Sequence, residues 1–169
     1  MLELLRPSQV CPAVWEVEPA PLAAAGIKGL ILDLDNTLVN WNSQQVRPQV
    51  AAWLEQARQA GLALCISSNA HSPRRVRRMA ERLGVLCITG AGKPRASAFL
   101  RPAALMGTSP QSTAVIGDQL FTDILGGNRV GMYTVLVRPL GVWEFPGTMI
   151  VRLAERLLLA LLIRTRTKE

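Results

Sequence analysis

Short aliphatic runs alternate with helical patterns along this chain, and this alternation limits the possible folds more than any other feature. Five runs are too uniformly apolar to have one face in water, which is typical of strands in a covered parallel sheet. The runs are IKGLIL (27–32), LALCIS (62–67), VLCI (85–88), TAVIG (113–117) and MYTVLV (132–137). Between them, apolar residues recur at helical spacing in PQVAAWLEQARQAG, SPRRVRRMAERLG and ASAFLRPAALMG. Repeated alternation of strand and helix predicts a doubly wound α/β fold with a mainly parallel sheet between helical layers.

Length and composition indicate one domain. With 169 residues, of which 49% are hydrophobic, the chain suits a single globular unit with its own core. We therefore predict one domain over residues 1–169, in which residues 148–169 form a C-terminal helix and a basic tail. In the second helical segment, Ser72 is positioned to cap the start and Gly84 to end the helix. The glycines of GGN (126–128) are interpreted as the exit of a later helix.

Polar residues collect at the ends of four predicted strands, in DLDNT, SSNAH, GKPR and GDQLFTD. All four aspartates of the chain lie in the first or the last of these segments, whereas its eight other acidic residues are glutamates. An isolated aspartate after a strand most often caps a helix or forms an Asx turn. Four aspartates confined to strand ends instead indicate a ligand site, because open parallel sheets bind ligands at the carboxyl ends of their strands.

The spacing of the first two aspartates indicates a bound cation. On an extended strand, Asp33 and Asp35 would face the same way and crowd two negative charges at the end of an apolar run. Thr37, Ser68 and Lys93 join them at the same strand ends. A hard divalent cation such as Mg²⁺ binds clustered carboxylates while keeping coordination sites for water and phosphate oxygens. We therefore expect Mg²⁺ as the cofactor.

The four segments, in this order, resemble the four motifs of the haloacid dehalogenase (HAD) superfamily of phosphohydrolases. The motif residues are Asp33, Asp35 and Thr37 in DxDxT, Ser68 followed by Asn69, Lys93 in GKP, and Asp118 and Asp123 in GDxxxxD. LLRPSQV, GIKGLILDLDNTLVNW and GDQLFTDILGGN extend the match to about residues 2 to 147 and resemble the YqeG-type branch of capless, subfamily IIIA phosphatases. This branch is akin to phosphatidylglycerophosphate phosphatases. The resemblance implies a HAD-like, Rossmannoid three-layer sandwich without a cap domain, and hydrolysis of phosphomonoesters.

The resemblance also implies catalytic roles for several motif residues. Asp33 is expected to attack phosphorus and form an aspartyl phosphate, and Asp35 to act as general acid and base. Ser68 is expected to bind a phosphoryl oxygen, and Lys93 to offset the charge of the nucleophile and the phosphoryl group. Mg²⁺ would be bound by Asp33, Asp118 and the main-chain carbonyl of Asp35.

Three motif residues have supporting roles in this interpretation. Asp123 would orient either Asp118 or Lys93. Thr37 and Asn69 would belong to the phosphate-binding loops. There, Thr37 shapes its loop by hydrogen bonding, and Asn69 either orients the nucleophile or caps the next helix.

The spacing between motifs bears on substrate size. Thirty residues separate Thr37 from Ser68 and 24 separate Ser68 from Lys93, which leaves no room for a cap domain beside the predicted helices. An uncapped site is open to solvent and to large substrates. This favours a phosphate carried by a lipid, a protein or a nucleic-acid end. Trp41, just past the first motif, either packs against the domain or flanks the substrate opening.

The charge distribution favours an anionic partner. The formal net charge is +7, and eight basic residues between residues 71 and 101 are opposed by one acid, Glu81. This cluster is either a solvated helix face or a surface that attracts anionic lipid. Nucleic acid is not expected, because the helical arginines lack the interleaved aromatic side chains of a base-stacking platform. The basic residues are Arg74, Arg75, Arg77, Arg78, Arg82, Lys93, Arg95 and Arg101.

The C-terminal segment MIVRLAERLLLALLI (149–163) has a helical pattern, amphipathic in its first half and apolar all round in its second. It packs on the domain, on a partner or on an anionic membrane surface. The longest apolar run has seven residues, short of the ~20 that span a bilayer. The N-terminus lacks a secretory pattern, and three cysteines fit reduced thiols. We therefore expect a cytoplasmic protein with peripheral contact to the inner face of a membrane.

These patterns together predict Mg²⁺-dependent hydrolysis of a phosphomonoester through an aspartyl phosphate, on a lipid phosphate such as phosphatidylglycerophosphate. Two alternatives stay open. One is a phosphatase of soluble metabolites or phosphoproteins, and the other is a non-catalytic binding module on the same fold. The oligomeric state is not predicted.

Overall fold

The computed structural model describes residues 2–141, which form a six-stranded sheet in which every neighbouring pair of strands is parallel. The strands are β1 (Gln9–Cys11), β2 (Gly29–Leu32), β3 (Ala63–Ser68), β4 (Leu86–Thr89), β5 (Thr113–Gly117) and β6 (Tyr133–Val137). Their order in the sheet is β1-β6-β5-β2-β3-β4. The helices are α1 (Pro19–Ala24), α2 (Pro48–Gln59), α3 (Pro73–Leu83), α4 (Ser97–Leu105) and α5 (Leu125–Arg129). The predicted α/β fold with a parallel central sheet is confirmed.

Alternate residues of the central strands belong to two separate apolar cores, one on each face of the sheet. Leu30 and Leu32 of β2 pack in a core with α2 and α3, whereas Ile31, between them, packs in a second core with α4. In the first core, the indole nitrogen of buried Trp53 donates to the carbonyl of Val17 at 2.6 Å. Both faces of the central strands are thus covered, and every residue of β2 and β5 is buried, as their mainly apolar sequences indicate.

Within residues 2–141, the predicted strands and helices are present, with small shifts at their ends. Ser72 caps α3 by accepting from the backbone nitrogen of Arg75, and Gly84 ends this helix at a φ of 63°. Pro102, which is unfavourable inside a helix, lies within α4. The sequence did not predict β1, because a strand of three residues at one edge of the sheet has no clear apolar run.

The prediction of a helix exit at GGN was wrong, because Gly126 and Gly127 lie inside α5. Close packing explains both glycines. A Cβ at Gly126 would lie 2.1 Å from Cε2 of Phe99, and one at Gly127 would lie 2.7 Å from Cγ2 of Thr134. Their missing side chains therefore allow α5 to approach α4 and β6.

No cap domain interrupts residues 2–141. Only a loop and α2 lie between Thr37 and β3, and only α3, β4 and short loops lie between Ser68 and Lys93. Across the same residues, no helix combines the length and the apolarity needed to cross a bilayer. The predicted C-terminal helix and basic tail, residues 148–169, lie outside the described residues.

Candidate active site

Three neighbouring strands end at one place in the sheet and bring separate sequence motifs together. β2 lies between β5 and β3. Asp33 follows β2, Asp118 follows β5, and Ser68 is the last residue of β3. Lys93 comes from the loop after β4, and Asp123 comes from the helical turn after β5. Because the strands are parallel, their carboxyl ends lie on the same side of the sheet, and residues that are far apart in the chain meet there.

Asp33, Lys93, Asp118 and Asp123 form a compact charged group, which we call the inner cluster. One carboxylate oxygen from each of the three aspartates lies within 4.8 Å of the others. The ammonium of Lys93 donates to Oδ1 of Asp33 and, at 2.7 Å, to Oδ1 of Asp123. Lys93, Asp118 and Asp123 are all buried. One lysine therefore faces three carboxylates with little water to screen their charges.

The inner cluster changes the acidity of two of its members. Burial raises the pKa of Asp33 well above its ordinary value; Lys93 lowers it, while Asp123 and Asp118 raise it further. Burial is the largest single influence on the pKa of Lys93 and lowers it, but the charges and hydrogen bonds of Asp123 and Asp33 together outweigh burial, so the pKa is raised. Lys93 is therefore a firmly charged cation, whereas the ionised form of Asp33 lacks sufficient positive charge around it.

The inner cluster fits a hard divalent cation. Its three acidic members offer carboxylate oxygens, the ligand type that Mg²⁺ and Ca²⁺ prefer, without a thiolate or an imidazole among them. A cation bound there would also relieve the repulsion that raises the pKa of Asp33. Asp123, which the sequence suggested only as an orienting residue, stands among these carboxylates and pairs directly with Lys93.

Three neighbouring residues hold two of the carboxylates in place. Oγ1 of Thr37 donates to Oδ1 of Asp118 at 3.0 Å, and the backbone nitrogen of Gln119 donates to Oδ2 of Asp123 at 3.2 Å. Gly117 leaves space for Asp123, because a Cβ there would lie 2.3 Å from Cγ of that aspartate. The role of Gly117 was not predicted from the sequence, although Gly117 stands directly before Asp118 in the fourth motif.

Asn69 binds the backbone of the loop that carries the lysine. Its Oδ1 accepts from the backbone nitrogens of Gly92 and Lys93, both at 2.9 Å, and its Nδ2 donates to the carbonyl of Lys93 at 3.1 Å. These contacts differ from the two roles expected for Asn69, since they act on neither the nucleophile nor the next helix. Ser68 is buried, and its Oγ accepts from the backbone nitrogen of Ala70 at 3.1 Å.

Asp35 is paired with Arg75 of α3, and we call these two residues the outer pair. Nη2 of Arg75 donates to Oδ2 of Asp35, and Nη1 donates to the carbonyl of Ser43 at 2.9 Å. The backbone nitrogen of Asn42 donates to the other oxygen of Asp35 at 2.8 Å. The sequence suggested that Asp33 and Asp35 share one strand and one cation. β2 ends before both residues, and their carboxylates have different side-chain partners, Lys93 for Asp33 and Arg75 for Asp35. The shared cation stays a prediction.

In the sequence, Arg75 belongs to a cluster of basic residues expected on the surface, but in the structure it is buried. Its side chain is 9% exposed, whereas Arg74, Arg77 and Arg78 are exposed. The signal was its position beside Val76 and four residues before Met79, on the apolar side of α3. A charged side chain at such a position needs a partner.

Two family models match the chain. One is described as haloacid dehalogenase-like hydrolase and matches residues 30–94, and the other as HAD-hydrolase-like and matches residues 90–140. Together they include the inner cluster, Ser68 and the outer pair. They also agree with the four motifs read from the sequence.

Two relatives point to the same family, and a solved structure shares the fold. The probable phosphatase YqeG of Bacillus subtilis is 38% identical over 94% of this chain and 91% of that protein. Phosphatidylglycerophosphate phosphatase 1, chloroplastic/mitochondrial, of Arabidopsis thaliana is 32% identical over 89% of this chain, and the match spans 44% of that protein. The cobalt-bound deoxy-D-mannose-octulosonate 8-phosphate phosphatase of Haemophilus influenzae shares the fold, with a TM-score of 0.53, 21% identity and coverage of 69% of this chain and 70% of that chain.

The match to YqeG runs through the strand ends, the inner cluster and the outer pair without a large unmatched part in either protein. The resemblance inferred from the motifs is therefore confirmed. This chain belongs to the phosphatases of the haloacid dehalogenase superfamily, which hydrolyse phosphoric monoesters.

Proposed function

We propose that this protein hydrolyses phosphomonoesters with Mg²⁺ and through an aspartyl phosphate on Asp33. The inner cluster carries the proposal, because Lys93 joins Asp33 to Asp123 beside Asp118 at the ends of the central strands. Asp33, Asp118 and the main-chain carbonyl of Asp35 would hold the ion. Bound Mg²⁺ supplies a Lewis acid that offsets negative charge on the phosphoryl oxygens.

In the first step, a carboxylate oxygen of Asp33 bonds to phosphorus while the bond between phosphorus and the ester oxygen breaks. Asp35 gives a proton to that ester oxygen, so the leaving group departs as a neutral alcohol. Ser68 binds a phosphoryl oxygen, and the ammonium of Lys93 stays beside the attacking carboxylate. The step yields the alcohol and an aspartyl phosphate.

In the second step, water attacks phosphorus and the bond to the oxygen of Asp33 breaks. Asp35, now ionised, takes a proton from that water, and inorganic phosphate leaves. Lys93 is suited to both steps because it pairs with Asp33 and Asp123 together. While Asp33 carries the phosphoryl group, Asp123 still holds the ammonium in place.

Asp33→Asn tests the nucleophile with little change in side-chain volume. We expect the turnover of p-nitrophenyl phosphate in Mg²⁺ to fall by about 10⁴-fold, as for loss of other catalytic nucleophiles. Glu55→Gln is a matched control, because it removes an exposed carboxylate on α2 that pairs with Arg58. A purified Asp33→Asn variant that turns over as fast as the parent would rule out the assigned nucleophile.

The same experiment separates an enzyme from a binding module on this fold. If the protein is a binding module, the parent should hydrolyse no phosphorylated lipid, protein or metabolite. Its binding to a partner would also survive Asp33→Asn.

We propose further that the substrate is a lipid phosphate such as phosphatidylglycerophosphate. The support comes from the likeness to the Arabidopsis enzyme and from the open site without a cap in residues 2–141. Arg74, Arg77 and Arg78 are exposed on α3, the helix that also carries the outer pair's arginine. Anionic lipid is attracted to such a basic face. Trp41, 41% exposed, lies in the loop next to Asp35, where a bulky substrate would approach.

Vesicles containing phosphatidylglycerophosphate test this choice against soluble glycerol phosphate. We expect faster hydrolysis in the vesicles, and sedimentation of the protein with anionic vesicles that weakens as salt rises. The double variant Arg74→Glu with Arg78→Glu should bind these vesicles at least about tenfold more weakly. Arg101→Glu with Arg129→Glu is the matched control. The sequence places Arg101 in the basic cluster, but the structure puts it on α4, in the other helical layer, where Arg129 of α5 is also exposed.

The outcome also decides between lipid and soluble substrates. If the intact protein ignores anionic vesicles at low salt and prefers the soluble ester, a phosphatase of soluble metabolites replaces the lipid proposal. Such a result leaves the test of Asp33 untouched.

A further inference from the structure

We infer that Arg75 is a positioning residue of this phosphatase. It holds the carboxyl group of Asp35 in the position from which Asp35 gives a proton to the leaving group. The inference rests on the proposed role of Asp35 as general acid. Arg75 takes no part in bond making. It acts through Asp35 and through the loop of residues 40–45, which follows the first motif.

Both oxygens of Asp35 have a fixed donor. Nη2 of Arg75 donates to Oδ2, and the backbone nitrogen of Asn42 donates to Oδ1 at 2.8 Å. Two donors on two oxygens define the plane and the direction of the carboxyl group. Each carboxylate oxygen has two lone pairs, so one acceptor site per oxygen stays available for a proton. The contacts therefore orient Asp35 without occupying its capacity for proton transfer.

The same guanidinium also holds the loop that supplies the second donor. Nη1 of Arg75 donates to the carbonyl of Ser43 at 2.9 Å, one residue beyond Asn42. The planar fork of arginine makes both bonds at once, whereas the single ammonium of lysine has no matching geometry. Arg75 thus controls both hydrogen bonds to Asp35, one directly and one through the loop.

Burial indicates that this contact is built into the fold. The side chain of Arg75 is 9% exposed and that of Asp35 is 19% exposed. A guanidinium is buried at a cost in free energy unless charged and polar partners surround it. On the same helix, Arg82 is exposed and donates to the carbonyl of Gln44 at 2.8 Å. Arg82 therefore contacts the same loop without contacting Asp35, which makes it the matched control.

The test is the dependence of kcat/KM on the leaving group, because kcat/KM reports the step in which the ester bond breaks. p-Nitrophenolate leaves readily without a proton, whereas an alkoxide from an alkyl phosphate needs the general acid. In Arg75→Ala and Arg75→Lys, we expect losses of about threefold or less for p-nitrophenyl phosphate and about 100-fold for alkyl phosphates. For Arg82→Ala, kcat/KM should equal that of the parent for both classes of soluble ester.

Two further measurements distinguish the positioning role of Arg75 from a general structural effect of its substitution. Added guanidinium ion at low concentration should restore part of the alkyl phosphate activity of Arg75→Ala. Combining Arg75→Ala with Asp35→Asn should cost no more than Asp35→Asn alone, because both changes remove one function.

Several results would overturn the role of Arg75. Equal losses for aryl and alkyl esters, parent-like rates in Arg75→Lys, or faster hydrolysis of alkyl phosphates by Arg75→Ala would each do so. Failure of the proposed function has a different signature, since the parent itself would then hydrolyse no ester or would not need Asp33.

Discussion

The inner cluster and the outer pair both combine aspartate with a basic side chain, yet their charges are balanced differently. In the inner cluster, Lys93 faces three carboxylates, and the pKa of Asp33 is raised because burial and the neighbouring aspartates oppose its charge. In the outer pair, one guanidinium faces one carboxylate, and both oxygens of Asp35 accept hydrogen bonds.

This difference separates binding from positioning. A buried cluster with an excess of carboxylates is stabilised when it binds a cation or when one carboxylate is protonated. A balanced pair with satisfied hydrogen bonds gains little from a ligand and instead restricts side-chain orientation. In the proposed function, metal and phosphoryl chemistry therefore belong to the inner cluster and orientation to the outer pair.

Removal of the inner cation is expected to have the largest effect on stability. Lys93→Met leaves buried carboxylates without their cation, so the free energy of unfolding in chelator should fall by about 3 kcal/mol. Urea unfolding measures this change, and Mg²⁺ should restore part of it. Arg78→Met, on the exposed side of α3, should change stability by less than about 0.5 kcal/mol. Equal costs for the two variants would mean that the inner cluster is not short of positive charge.

The second largest expected effect is the stability gained from Mg²⁺, which should depend on the inner cluster and not on the outer pair. For the parent protein, Mg²⁺ at 100 times its dissociation constant should add about 2.7 kcal/mol of stability, seen as a higher Tm than in chelator. Asp118→Asn should lose this response, because it removes a carboxylate of the inner cluster. Asp35→Asn should keep it, because the expected ligand at that position is the main-chain carbonyl. A response retained in Asp118→Asn and lost in Asp35→Asn would reverse the assignment.

A change behind the inner cluster should have a smaller effect. In Gly117→Ala the new Cβ would lie 2.3 Å from Cγ of Asp123, so this carboxylate must move away from Lys93. We expect a loss of about 2 kcal/mol, typical of overpacking, and a weaker response to Mg²⁺. Gly29→Ala, at the start of β2, is the control. Its Cβ would lie 3.0 Å from Cε of Met106 and 3.1 Å from the side chain of Thr108. Since Gly29 lies at the opposite end of β2 from Asp33, the Mg²⁺ response should stay as in the parent.

The sequence by itself determined five of the six strands in residues 2–141, the main helices and the identity of the motif residues. Strands covered on both faces are apolar throughout, so IKGLIL and TAVIG were recognisable without any knowledge of their neighbours. The aspartates were recognisable because they follow such strands. Local periodicity and local polarity carry this information, and both survive in a linear sequence.

Only the tertiary structure decided which charges meet. The sheet order places β5 and β3 on either side of β2, and this order brings Asp118 to Asp33 and leaves Asp35 for Arg75. The close approach of α5 to its neighbours likewise explains Gly126 and Gly127. These contacts join residues far apart in the chain, and their geometry depends on how helices and strands pack. Periodicity within one segment cannot specify such packing, because it records which face of a segment is buried and not which side chain lies opposite.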